Sequence, residues 1–121
     1  MARAPLKPVV WVGSSLDDLG GCPEEVQDVV GYALYLAQTG ERHPAAKRLK
    51  GDLRGLVEVV ADHASGTYRA VYMAKLANTI YVLHVFQKKA TRGIATPKHE
   101  LDLIKARLRW AEQHARSALE E

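Results

Sequence analysis

An α+β fold, with a short antiparallel sheet and helices set apart from it, is what this sequence predicts. Three observations carry the prediction. Between residues 56 and 87, three Val- and Tyr-rich stretches are separated by connectors of turn length. On either side, residues 23–40 and 96–115 repeat apolar side chains at helical spacing. A brief apolar run precedes them all. The resulting order is β-α-α-β-β-β-α, within one domain spanning residues 1–121.

Each element has its own local reason. Val9-Val10-Trp11-Val12, between Pro8 and Gly13-Ser14-Ser15, reads as a first strand, followed by a polar loop with Asp17, Asp18, Gly20 and Gly21. Pro23 opens a helix, and Glu24 and Glu25 suit the positive end of its dipole. Val26, Val29, Val30, Ala33, Leu34 and Ala37 form its apolar face, and Gly40 stops it. Pro44 to Lys50, closed by Gly51, fits a second short helix, which would complete an N-terminal helical hairpin. Leu56–Ala61, Thr67–Ala74 and Ile80–Gln87 form a three-stranded meander. With a turn near residue 77, position 69 falls opposite about position 85. Thr96-Pro97 caps and opens the last helix, where Leu101, Ile104, Leu108, Ala111 and Ala115 make a narrow apolar stripe.

Composition bounds the setting. The 121 residues include 47% hydrophobic and 26% charged side chains, ordinary for a globular domain. One cysteine, Cys22, allows no internal disulfide and points to a reducing compartment. No apolar stretch approaches a membrane span or a signal core, so a cytoplasmic protein is expected.

Charge is where function first shows. Residues 63–99 contain no Asp or Glu but hold Arg69, Lys75, Lys88, Lys89, Arg92 and Lys98. That window carries +6, while the remainder, with 11 Lys and Arg against 14 acids, carries −3. A surface stripped of carboxylates suits a polyanion. Solvated edge-strand lysines and arginines are the plainer alternative. No phosphate loop, metal-ligand spacing or nucleophile elbow is present, so no metal or cofactor is expected. Arg69, embedded in Gly66-Thr67-Tyr68-Arg69-Ala70-Val71-Tyr72, reads either as a fixed fork for a phosphate or as a strand arginine that pairs with Glu58. Lys88 and Lys89 end the next strand, and all three are expected on one face.

Four segments together resemble a known family. They are Pro23-Glu24-Glu25-Val26; Leu49-Lys50-Gly51 with Gly55-Leu56-Val57-Glu58-Val59; the Gly66–Tyr72 segment; and Tyr81-Val82-Leu83-His84-Val85-Phe86-Gln87-Lys88-Lys89 with Thr96-Pro97. The sequence resembles the RelE/HigB-type toxins of type II toxin–antitoxin modules, in the phage-derived branch of the RelE/ParE superfamily. The resemblance implies a RelE-like fold and a metal-independent endoribonuclease that cuts mRNA on the ribosome and so inhibits translation. It implies Arg69 at the scissile phosphate, Lys88 and Lys89 near the cut, and His84 and Glu58 as candidate acid and base. Lys50, Arg92 and Lys98 are implied backbone contacts, and the partner is an antitoxin, a helix-turn-helix protein encoded next door. Relatives carry a basic residue two positions after the strand glutamate, where this sequence has Val60. Two other readings share the fold: a gyrase-inhibiting, ParE-like toxin acting by protein contact, and a non-enzymatic domain that binds nucleic acid or a partner.

Overall fold

The computed structural model describes residues 5–88 and 96–120. Its architecture is α+β: a five-stranded sheet in the order β1-β5-β4-β3-β2, with helices on both faces. The strands are β1 (Val9–Trp11), β2 (Ala46–Arg48), β3 (Leu56–His63), β4 (Gly66–Leu76) and β5 (Thr79–Lys88). The helices are α1 (Ser15–Gly20), α2 (Glu24–Gln38) and α3 (Lys98–Glu120). None of the described helices is long and apolar enough to cross a membrane.

The meander arises where the valines and tyrosines place it. Strands β3, β4 and β5 pair antiparallel, and the β4–β5 turn uses two residues, Ala77 and Asn78, with φ of 51° and 55°. Two successive positive φ values match the right-handed strand twist of a tight hairpin. Two register irregularities, between Met73 and Leu76 and between Val71 and Tyr72, offset each other along β4–β5. Arg69 therefore faces Phe86, one residue beyond the expected position 85. The sheet is mixed, not purely antiparallel, because β1 runs parallel to β5 at the edge, Val10 beside Tyr81.

The second helix expected at residues 44–50 is instead β2. Ala46 is the buried residue of this stretch, and Lys47 and Arg48 are exposed, so a helical turn would have no apolar face to bury. Extended, the segment satisfies the open edge of β3: Val60 N–H donates to the Ala45 carbonyl at 3.2 Å and Leu49 N–H to the Leu56 carbonyl at 2.9 Å. A short 3-10 turn, Gly51–Leu53, follows. The helical pair is completed on the other side of α2, by α1 in the expected loop. There Ser15 and Leu19, four apart, are buried, and the Ser15 hydroxyl donates to the Val82 carbonyl at 3.1 Å.

Two cores result. On one face, Val26, Val30, Ala33, Leu34 and Ala37 of α2 pack on Val59, Ala70, Tyr72, Ile80 and Val82. On the other, Ile104, Ala111 and Ala115 of α3 pack on Leu56, Val71, Tyr81 and Leu83, with Leu108 against them. The narrow stripe of α3 is thus core.

Candidate active site

Alternation along the strands decides which side chains meet. Facing α3 are Glu58, Val60 and Asp62 from β3, Thr67, Arg69 and Val71 from β4, and His84, Phe86 and Lys88 from β5; the Thr67 hydroxyl donates to Asp62 at 3.0 Å. Leu56, Val71 and Leu83 on this face are fully buried, whereas Val60, Thr67, Arg69 and Lys88 keep partial exposure. The far end of the face is therefore open.

Arg69 is the centre of that end. Its cross-strand neighbours are Val60 and Phe86, so Glu58, His84 and Lys88 are diagonal to it, about 7–8 Å away backbone to backbone. Its Nη1 donates to Glu58 Oε1 at 2.5 Å. The Glu58 side chain is 8% exposed and that of Arg69 20%. Pairing with Glu58, one of the two sequence readings of Arg69, is therefore present. The pairing also holds the guanidinium in one orientation at the rim of the open end. The Arg69 Nε–H is buried with no hydrogen-bond partner among the described residues.

Across β3, Lys47 of β2 stands directly opposite Glu58. Lys47, Glu58, Arg69 and Lys88 thus form a diagonal row over four strands, with Glu58 between Lys47 and Arg69 and with Asp62, level with Lys88, on the same face.

His84 sits deeper. Its ring stacks on Phe86, 4.8 Å between centroids and 17° between planes. Arg107 of α3 donates to its Nδ1 at 3.3 Å and to the Leu83 carbonyl at 2.9 Å. The Glu100 carboxylate lies 3.3 Å from Nε2, near enough for attraction but off the line of a hydrogen bond. An accepting Nδ1 assigns the proton of the neutral ring to Nε2. Burial pushes the His84 pKa below the ordinary 6.5, with Glu100 opposing and Arg107 assisting. His84 is thus an enclosed imidazole, stacked on the buried Phe86, whose neutral form burial favours.

The remaining expected contacts scatter. Lys50 is exposed at the entry to the 3-10 turn. Lys98 begins α3, fully exposed and bonded to Asp102 at 2.8 Å, a bond that raises its pKa. Lys89 and Arg92 lie outside the described residues. Among the described residues, no three His, Cys, Asp or Glu side chains gather as a metal-ligand set.

Sequence reasoning passed over Lys47, Glu100 and Arg107. For the two α3 residues a signal existed. The stripe Ile104–Leu108–Ala111, extended one turn backward, lands on Glu100, and Arg107 sits three residues after Ile104 on the same inner face. For Lys47 there was none, because its place depends on β2 being a strand.

Comparisons with known proteins agree with this architecture. A family model described as phage-derived protein Gp49-like matches residues 17–109. The fold is similar to that of a chain in the toxin–antitoxin complex RelBE2 from Mycobacterium tuberculosis, with a TM-score of 0.50 and 23% sequence identity, covering 69% of this chain and 100% of that one. No curated protein matches the sequence.

Proposed function

Because the chain belongs to the phage-derived Gp49-like family, a family of RelE-type toxins, we propose that it is the toxin of a toxin–antitoxin module and acts as a metal-independent endoribonuclease on ribosome-bound mRNA. The observation that carries this reading is the row Lys47–Glu58–Arg69–Lys88 at the open end of one sheet face. Three cations along a line suit successive phosphates of a single strand, and the carboxylate in their midst is the nearest base.

The chemistry asks little of the protein beyond placement and charge. The 2′-OH of one nucleotide attacks the adjacent phosphorus, the bond to the 5′-oxygen of the next nucleotide breaks, and a 2′,3′-cyclic phosphate and a 5′-hydroxyl remain. Arg69, held by Glu58, meets the charge that builds on the phosphoryl oxygens. Glu58 takes the 2′-OH proton, and the ammonium of Lys88 or Lys89 gives a proton to the leaving 5′-oxygen. Lys47 holds the strand on the far side of Glu58. His84 acts through Phe86 as a positioning residue, keeping the floor under Arg69 flat. Lys50 and Lys98 contribute charge at the periphery, and Arg92 adds a further cation for the backbone. The antitoxin, a neighbouring helix-turn-helix protein in this reading, silences the toxin by covering the same row.

Translating ribosomes with a reporter message, with and without excess chelator, test the reading. Cuts that persist in chelator, carry cyclic-phosphate ends and vanish in Arg69→Lys support it. That variant keeps a cation for Glu58 while removing the planar fork. Cleavage that requires added magnesium, or that Arg69→Lys leaves at full rate, sinks it. Binding of ribosomes by the toxin–antitoxin complex with undiminished affinity would show that occlusion is not how the antitoxin works.

A further inference from the structure

On the opposite face of the sheet, a groove of about 330 Å³ opens between the end of α2 and strands β2, β3 and β4. Four cations line it from four separate segments: Lys7 ahead of β1, Arg42 after α2, Arg48 of β2 and Lys75 of β4. Glu41 is the one acid in its lining. None of the four cations has a carboxylate within ion-pair distance among the described residues. Like charges gathered without a counter-ion repel one another, and an anion between them relieves that repulsion.

The walls are built, not incidental. The Lys7 backbone is held to α2 from both sides: its N–H donates to the Gln38 carbonyl at 3.2 Å, and Gln38 Nε2 donates to its carbonyl at 2.8 Å. Gly40, at φ +89°, turns the chain out of α2, and Glu41 N–H returns to the Leu36 carbonyl at 2.8 Å, which sets Arg42 on the rim. Arg48 lies on the edge strand, and Tyr72 forms part of the floor. The charge of Arg42 reaches the Tyr72 phenol, opposing the rise in pKa that burial causes.

We propose that this groove is a second RNA site, binding the phosphodiester backbone of a single strand that continues around the β2 edge from the Lys47–Arg69 face. The inference rests on the ribonuclease reading for the identity of the polyanion. Continuity argues for RNA over an acidic peptide. Neighbouring residues of β2 point to opposite faces, so Lys47 stands beside Glu58 while Arg48 stands in the groove. One strand of nucleic acid can follow cations from one face to the other around β2.

The experiment measures binding of a fluorescent 2′-O-methyl RNA of about twelve nucleotides, which cannot be cut, by the full chain across a salt series. In the triple variant Arg42→Gln/Arg48→Gln/Lys75→Gln, affinity is expected to fall at least tenfold. The slope of log K against log salt should shrink by about 2, from roughly 0.7 per lost phosphate contact. All three side chains are exposed, and the single charge reversal Lys75→Glu repeats the measurement should the triple variant fold poorly. Unchanged affinity and slope in both variants overturn the proposal. So does a polyglutamate peptide that binds the wild type, loses binding in the variants and leaves RNA binding untouched. Ribosomal cleavage is read separately. A wild type that never cuts, with variants that still lose RNA, sinks the ribonuclease reading and keeps the groove; normal cutting with no RNA loss does the reverse.

Discussion

The two faces of the sheet are built on different terms. Under α2 the strands present Val59, Ala61, Ala70, Tyr72, Ile80, Val82 and Val85, an apolar surface matched by Val26, Val30, Ala33 and Leu34. Under α3 the same strands interleave Leu56, Val71 and Leu83 with Glu58, Arg69 and His84. Glu58 and His84, two of the four buried polar residues among those described, both lie on this second face. Buried charge rarely improves stability over a well-packed apolar alternative. Burial of polar side chains gathers on the face that the proposed ribonuclease reading uses, while the α2 face packs apolar side chains.

Variants that act on one face alone separate the two. The largest effect is expected from Arg69→Lys: ribosomal cleavage should fall by two to three orders of magnitude, about the loss seen on removing one charge-stabilising donor elsewhere. Unfolding in denaturant should stay within about 1 kcal/mol of wild type, because Glu58 keeps a cation. A parallel collapse of stability would show that Arg69 is structural. Leu34→Ala should do the opposite. The side chain is 4% exposed in the α2 core, so its truncation should cost about 2–4 kcal/mol in chemical denaturation while cleavage per folded molecule holds.

Acid should weaken the fold through His84. The native pKa of His84 lies below its unfolded value of about 6.5, chiefly through burial. The unfolded chain therefore binds a proton that the native chain does not, and stability must fall as pH drops below about 6.5. The contribution is fully present above that value. His84→Asn should flatten the slope of unfolding free energy between pH 7 and 5; an identical slope would assign the acid sensitivity to other groups. The smallest effect belongs to neither face. Ala77 holds φ +51° in the β4–β5 turn, a conformation glycine adopts without strain. Ala77→Gly should therefore raise stability by about 0.5–1 kcal/mol, with cleavage unchanged.

Much of this was legible in the residues, and the exceptions have physical causes. The central strands were visible because long apolar runs met turn residues. Register was the fragile part: opposite residue 85, Arg69 would have pointed at α2, since a slip of one residue exchanges the faces. The Ala77-Asn78 turn and two offsetting irregularities set it against Phe86 instead. Short elements were hidden. Three residues of β2 and six of α1 are too few for a periodicity, and each is stabilised by tertiary partners more than by its own sequence. At the site, Arg69 and Lys88 stood out by charge, whereas Lys47 and Arg107 reach it only through pairing and helix packing that no local pattern encodes.

The edge position of β2 has a consequence for the molecule in a crowded solution. An outermost strand offers unpaired backbone groups to any extended chain that drifts past, and proteins with bare edges stack into fibres. Lys47 and Arg48 make this rim cationic on both sides of the sheet, and the strand is only three residues long. A second copy approaching edge to edge would bring four like charges together. Removing both would leave a neutral rim open to strand addition, so a Lys47→Val/Arg48→Val chain should aggregate on storage at concentrations where the wild type stays dispersed, as light scattering would reveal.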